Sequence, residues 1–173
     1  MPVTVMVARA SEAEDWKVRL GFVFHKASNP LVRLILRSPL HSLLSGKLVL
    51  ITYVGRRSGL KHTLPVMYAN RDNELVVVVG YHKHKKWWLN LRNQSAPVEV
   101  RYRGRLLEGS ATAVEGDADI IAPRLAEYCR KFHASARKRG IDLGSPIDLE
   151  ALKAKSKEEV MVIIRPATQQ TFV

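Results

Sequence analysis

Five short runs of β-branched and aromatic residues, each closed by turn-forming residues, fill positions 48 to 114 and leave little choice of architecture. Leu48 to Val54 and His62 to Ala69 flank a Gly/Arg-rich turn. Leu75 to Val79 is a nearly pure valine strand bounded by Asp72-Asn73 and Gly80. Val98, Val100 and Tyr102 then alternate with Glu99, Arg101 and Arg103, and Arg103-Gly104-Arg105 turns the chain into a further strand through Val114. Strands joined by such short connections pair antiparallel, so the pattern predicts a meander.

Helices flank that meander, which makes the class α+β. From Trp16 to Leu44 the apolar residues fall at mixed helical spacing, with Asn29-Pro30 and Ser38-Pro39 as breaks, and two or three short helices are expected. Their other positions are basic (Lys17, Arg19, His25, Lys26, Arg33, Arg37), so this segment either packs on the strand domain or lies on an anionic membrane surface. The segment from Asp117 to Arg139 opens on an acidic cap and carries an apolar stripe at Ile121, Leu125, Tyr128 and Phe132, which predicts a helix ended by Gly140. A loop with Gly144-Ser145-Pro146, a short polar helix and a last strand from Val160 to Ile164 complete the chain. The expected organisation is one domain: a helical segment over 1–45, a strand domain over 46–166 and a fraying tail over 167–173.

Charge narrows the partners. Lys and Arg number 28 against 16 Asp and Glu, a net charge of +12, and such a surface attracts phosphates, polyglutamates, nucleic acid or anionic lipid. No known nucleic-acid module is present, so nucleic acid is not the expected partner. Cys129 is the only cysteine, which excludes an internal disulfide and a thiolate zinc site. With neither a signal peptide nor a membrane-spanning stretch in the sequence, the expected location is the cytoplasm, with peripheral contact at the inner face of the membrane as the alternative.

Two clusters carry chemistry. Gly55-Arg56-Arg57-Ser58-Gly59 joins two predicted strands, and it suits an anion: glycines free the backbone, two guanidiniums offer forked donors and the serine adds a hydroxyl. A plain basic hairpin turn has the same composition, and the spacing is neither that of a Walker loop nor of a Rossmann fingerprint. The second cluster, Tyr81 to Arg92, interleaves cations with Trp87 and Trp88 directly after the valine strand, a mixture that can stack on a planar ring and neutralise its charged tail. Packing of one tryptophan in the core and one on a ligand is the expected division. His82 and His84 lack a third ligand at metal spacing, so no metal is expected, and no Gly-x-Ser-x-Gly elbow or Cys/His pairing is present.

Taken together, Leu50-Ile51-Thr52-Tyr53-Val54-Gly55-Arg56-Arg57-Ser58-Gly59, Leu64-Pro65-Val66-Met67-Tyr68, Trp87-Trp88-Leu89-Asn90-Leu91-Arg92 and Val98-Glu99-Val100 resemble, in order and spacing, the deazaflavin (coenzyme F-420)-dependent nitroreductase and quinone reductase family. The resemblance spans roughly residues 46 to 132. It implies a split β-barrel and a deazaflavin whose tail is held by the Arg turn and by the loop before the Trp helix. Carried over by position, Arg56, Arg57 and Ser58, with Gly59 in the same turn, contact phosphate and carboxylates. Lys83 lies in the loop, and Trp87, Asn90 and Arg92 border the cofactor. The implied reaction moves a hydride from reduced F-420 to a small hydrophobic electron acceptor, a quinone or a nitro compound.

Two departures from the family pattern stand out. Tyr81-His82-Lys83 replaces a smaller, glycine-containing loop, and Phe132 stands where nitro-reducing members carry a tyrosine. Tyr128 and His133 are then the replacement candidates for proton donor. Flavin mononucleotide (FMN) is the alternative cofactor, and a non-catalytic barrel that binds a fatty acid is the alternative function. A homodimer is the expected higher state.

Overall fold

The computed structural model describes residue 30, residues 32–144, residues 148–167 and residue 172. Seven strands, β1 (Leu48–Val54), β2 (Lys61–Met67), β3 (Ala69–Arg71), β4 (Glu74–Val78), β5 (Ala96–Tyr102), β6 (Arg105–Glu115) and β7 (Val160–Pro166), form one antiparallel sheet. Their spatial order is β2-β1-β5-β6-β7-β4-β3. The expected run from His62 to Ala69 is divided at Tyr68, which falls between β2 and β3. Its ring is buried and its hydroxyl donates to the Ser45 carbonyl at 2.7 Å, so the side chain is fixed from outside the sheet.

β6 serves two partners in succession: residues 105–111 pair with β5, and residues 109–115 pair with β7. This shared strand lets the sheet turn on itself until β2 comes close to β4, and the result is a split β-barrel. Gly109 lies at the overlap, opposite Val98 on one side and Pro166 on the other. A Cβ there would meet the Arg165 carbonyl oxygen at 2.2 Å, so glycine is required by close backbone approach. Gly109→Ala is expected to cost about 2–3 kcal/mol, because one of the two strands must move away. Urea unfolding should show a lower midpoint at constant m-value; an unchanged midpoint would show that β6 and β7 can part freely.

The valine run lacks alternation because both of its faces are covered. Leu75 and Val77, with Val162 and Ile164 of β7, face an inner core that also holds Tyr53, Trp88, Leu91 and Val100. Val76 and Val78, with Met161 and Ile163, face an outer core. β5 keeps the alternation read from the sequence: Val98, Val100 and Tyr102 are buried, and Glu99 and Arg101 are only partly so.

Helices supply the outer layer. Residues 32–37 are helical, and a 3-10 turn over Pro39–His41 leads into the single turn α1 (Ser42–Ser45); the expected helices before residue 30 lie outside the described residues. α2 (Ala118–Lys131) begins at Asp117, whose Oδ1 accepts the Ile120 N–H at 3.1 Å. The single helix expected to reach Arg139 is interrupted at Phe132 (φ −122°, ψ 78°), where the ring packs on Tyr128 at 4.8 Å between centroids. α3 (His133–Arg139) follows and ends at Gly140, φ 63°. α4 (Leu149–Ser156), capped by Asp148, packs on α2.

Phe172, in the expected tail, is placed against the core. It is buried edge-on against Tyr102 at 5.4 Å, and its N–H donates to Asn73 Oδ1 at 3.0 Å. An aromatic side chain at this point gains more by closing the inner core than by staying in water. Among the described residues no helix is long and apolar enough to cross a membrane.

Candidate functional site

The connection between β1 and β2 is closed by its own backbone: the Gly55 N–H donates to the Leu60 carbonyl at 2.9 Å and the Gly59 N–H to the Gly55 carbonyl at 2.8 Å. Gly59 takes a left-handed conformation, φ 65°, that favours glycine. A Cβ on Gly55 would lie 2.5 Å from Ser58 Oγ and 2.9 Å from His62 Nε2. Its absence lets those two side chains meet, at 3.3 Å. Arg57, Ser58 and Gly59 are exposed, and among the described residues Arg57 makes no hydrogen bond or ion pair.

Trp87–Leu91 forms a 3-10 helix that the turn grips directly. The Arg56 N–H donates to Asn90 Oδ1 at 3.0 Å, and Arg56 Nη1 donates to the carbonyls of Leu89 at 3.3 Å and Arg92 at 3.1 Å. Asn90 Nδ2 in turn donates to the Trp87 carbonyl at 2.9 Å. The two clusters read separately from the sequence are therefore one surface.

The tryptophans divide their roles. Trp88 is buried in the inner core with its indole N–H donating to the His82 carbonyl at 3.2 Å. Trp87 is half-buried, 6.2 Å from the Tyr53 ring, and Tyr53 stacks on His62 at 5.6 Å. Burial raises the Tyr53 phenol above its ordinary pKa, so this row of rings carries no phenolate at neutral pH. Arg92 lies over Trp88 at 5.7 Å and pairs with Glu115 at 2.8 Å. A cavity of about 550 Å³ opens beside the turn, bounded among others by Tyr53, Val54, Lys61, Pro97 and Glu99. Its volume is in the range that takes a small molecule. Lys61 Nζ meets a Glu99 carboxylate oxygen at 2.7 Å, which raises the lysine pKa.

Other candidates stand elsewhere. Lys83 lines a separate cavity of about 290 Å³ with Tyr81, His82, His84, Arg139 and Glu159. In this loop Tyr81 has φ 56°, so a bulky side chain occupies a conformation that glycine takes at least cost. Tyr128 and His133 are not brought to the turn. Tyr128 lies in the outer core against Phe132, where burial pushes its phenol up to about 12, and His133 is exposed at the start of α3. Trp87 packs on the inner core, so the sheet separates it from Tyr128 and from Phe132. Reading the sequence missed Tyr53, Lys61 and His62, although two of them directly follow the turn.

The family model of the F420H(2)-dependent quinone reductases matches residues 36–148, a span that holds both the turn and the Trp helix. The chain belongs to this family. It is an F420-dependent reductase. The reductase shares its fold with a solved structure described as a domain-swapped dimer, 17% identical at a TM-score of 0.50, with 88% of this chain and 99% of that one covered. An F420-H2 dependent reductase is similar at 18% identity and a TM-score of 0.44, over 68% of this chain and 93% of that one. So is an FMN-binding protein related to pyridoxamine 5'-phosphate oxidase from Nostoc punctiforme, at 11% identity and 0.43, over 79% and 78%. No curated protein sequence matches the chain.

Proposed function

We propose that the reductase holds the anionic tail of F420 on Arg57 and Ser58, keeps the ring beside Trp87, and reduces a flat apolar acceptor such as a quinone or nitro compound. One observation carries this reading: an exposed guanidinium, without a hydrogen bond or ion pair among the described residues, stands on a turn that is hydrogen-bonded to the helix carrying a half-buried indole. These residues fit the cofactor chemically. Phosphate and carboxylates take charge-assisted bonds from a forked donor, and a planar ring takes the flat faces of Trp87 and Tyr53.

When bound, reduced F420 supplies a hydride, and a proton from solvent completes the conversion of a quinone to its hydroquinone. The chain itself orients and shields. Gly59 keeps the turn tight, Arg56 and Asn90 join it to the helix, and Arg92, held by Glu115, braces the buried Trp88. The net +12, to which Lys83 on its separate cavity contributes, draws a polyanion toward the surface. The same reading includes a homodimer, a contact with anionic membrane, and a division of the chain into an N-terminal segment, a barrel over 46–166 and a tail.

Anaerobic mixing of reduced F420 with menadione, or with a nitroaromatic, tests the reaction. The absorbance of oxidised F420 should return at a rate proportional to enzyme. Binding of F420 without oxidation by either acceptor would instead support a barrel that only binds.

A further inference from the structure

The geometry points to Arg56 and Asn90 as positioning residues, which set the span between the tail anchor at Arg57 and Ser58 and the ring face at Trp87 and do not themselves touch the cofactor. This rests on the function proposed above. Asn90 has one acceptor oxygen, given to the Arg56 N–H, and one of its two N–H donors is given to the Trp87 carbonyl. Arg56 Nη1 is shared between the Leu89 and Arg92 carbonyls. The carbonyls at the end of a short helix have no partner within it, so these two bonds fill a need that the helix creates. These bonds, made by the backbone N–H and one guanidinium nitrogen of Arg56 and by both ends of the Asn90 amide, hold two pieces of chain together, while Arg57, next to them, makes no hydrogen bond or ion pair among the described residues.

A fixed span matters for a ligand with two unlike ends. Each end alone binds weakly, and the intact molecule gains an effective concentration that depends on the matched distance. Loosening the clamp should therefore weaken the whole cofactor and spare its parts. Removing a direct contact should weaken the part that made it.

The experiment measures dissociation constants for wild type, Asn90→Ala and Arg56→Gln with three probes: F420, its tail-less deazaflavin chromophore, and inorganic phosphate. Thermal unfolding of each variant shows that it is folded. F420 affinity should fall about tenfold in both variants, and the affinities for chromophore and phosphate should stay within about twofold. Arg57→Ala is the contrast, and it should weaken phosphate and F420 together. Should Asn90→Ala not fold, Arg56→Gln decides the matter, since the side-chain bonds to the Leu89 and Arg92 carbonyls are lost, the backbone bond to Asn90 is kept and no core is emptied. Loss of phosphate or chromophore affinity in Arg56→Gln or Asn90→Ala would make that residue a direct contact and overturn the inference. Unchanged F420 affinity in both would overturn it as well. A wild type that does not bind F420 at all would overturn the proposed function and this inference with it, an outcome separate from the other two.

Discussion

Glu159→Ala is expected to lower the free energy of unfolding by about 2–3 kcal/mol, because it leaves a part-buried guanidinium without its carboxylate. Arg139 Nε and Nη2 meet the two Glu159 carboxylate oxygens at 2.5 and 3.0 Å, and the side chains are only 19% and 14% exposed. Arg139 Nη1 also donates to Ser135 Oγ at 2.5 Å, so the arginine is held within α3 while Glu159 leads into β7. The pair thereby pins the outer helical layer to the sheet beneath Tyr128. What the variant measures is the cost of leaving a part-buried charge without its partner. The double variant Arg139→Met/Glu159→Leu should recover most of the loss, since an apolar pair of similar volume is often as stable as the ion pair it replaces. Urea denaturation of both variants checks this, and a loss below about 1 kcal/mol in the single variant would mean that the pair behaves like one on the surface.

Arg57→Ala is expected to raise the dissociation constant of F420 roughly 10- to 150-fold, the equivalent of about 1.5–3 kcal/mol for a charge-assisted hydrogen bond. Thermal stability should change little, because Arg57 is exposed and makes no hydrogen bond or ion pair among the described residues. Arg57→Lys should recover part of the affinity, keeping the charge and losing the fork. Fluorescence titration of Trp87 and its neighbours gives the constants. An affinity equal to wild type would remove the turn from the cofactor site.

Much of the fold was legible because burial writes itself into period and composition. The alternation of Val98, Val100 and Tyr102 gives a strand with one face inward, and the unbroken Leu75–Val79 run gives one covered on both faces. Glycines marked the turns, and the order of the Arg turn and the Trp block pointed to the family that the chain belongs to. Contacts between distant residues were not legible. That Arg56 spends its N–H on Asn90, 34 residues away, depends on how the barrel closes, which no local pattern encodes. The helical stripe put Tyr128 and Phe132 on one face but could not say which side of the sheet that face would meet; it meets the outer core. The break at Phe132 and the docking of Phe172 have the same origin, since an aromatic ring finds its cavity only once the sheet exists.

The measurement that bears most directly on an anionic tail held by the Arg turn is the salt dependence of F420 affinity, compared between wild type and Arg57→Ala. Over about 0.02 to 0.5 M salt the screening length falls from roughly 20 Å to about 4 Å, so charge contacts at the surface weaken progressively. Wild-type affinity should fall steeply across that range and the Arg57→Ala slope should be distinctly shallower, one cationic contact having been removed. A flat wild-type dependence, or equal slopes in the two proteins, would contradict a tail anchored on this turn.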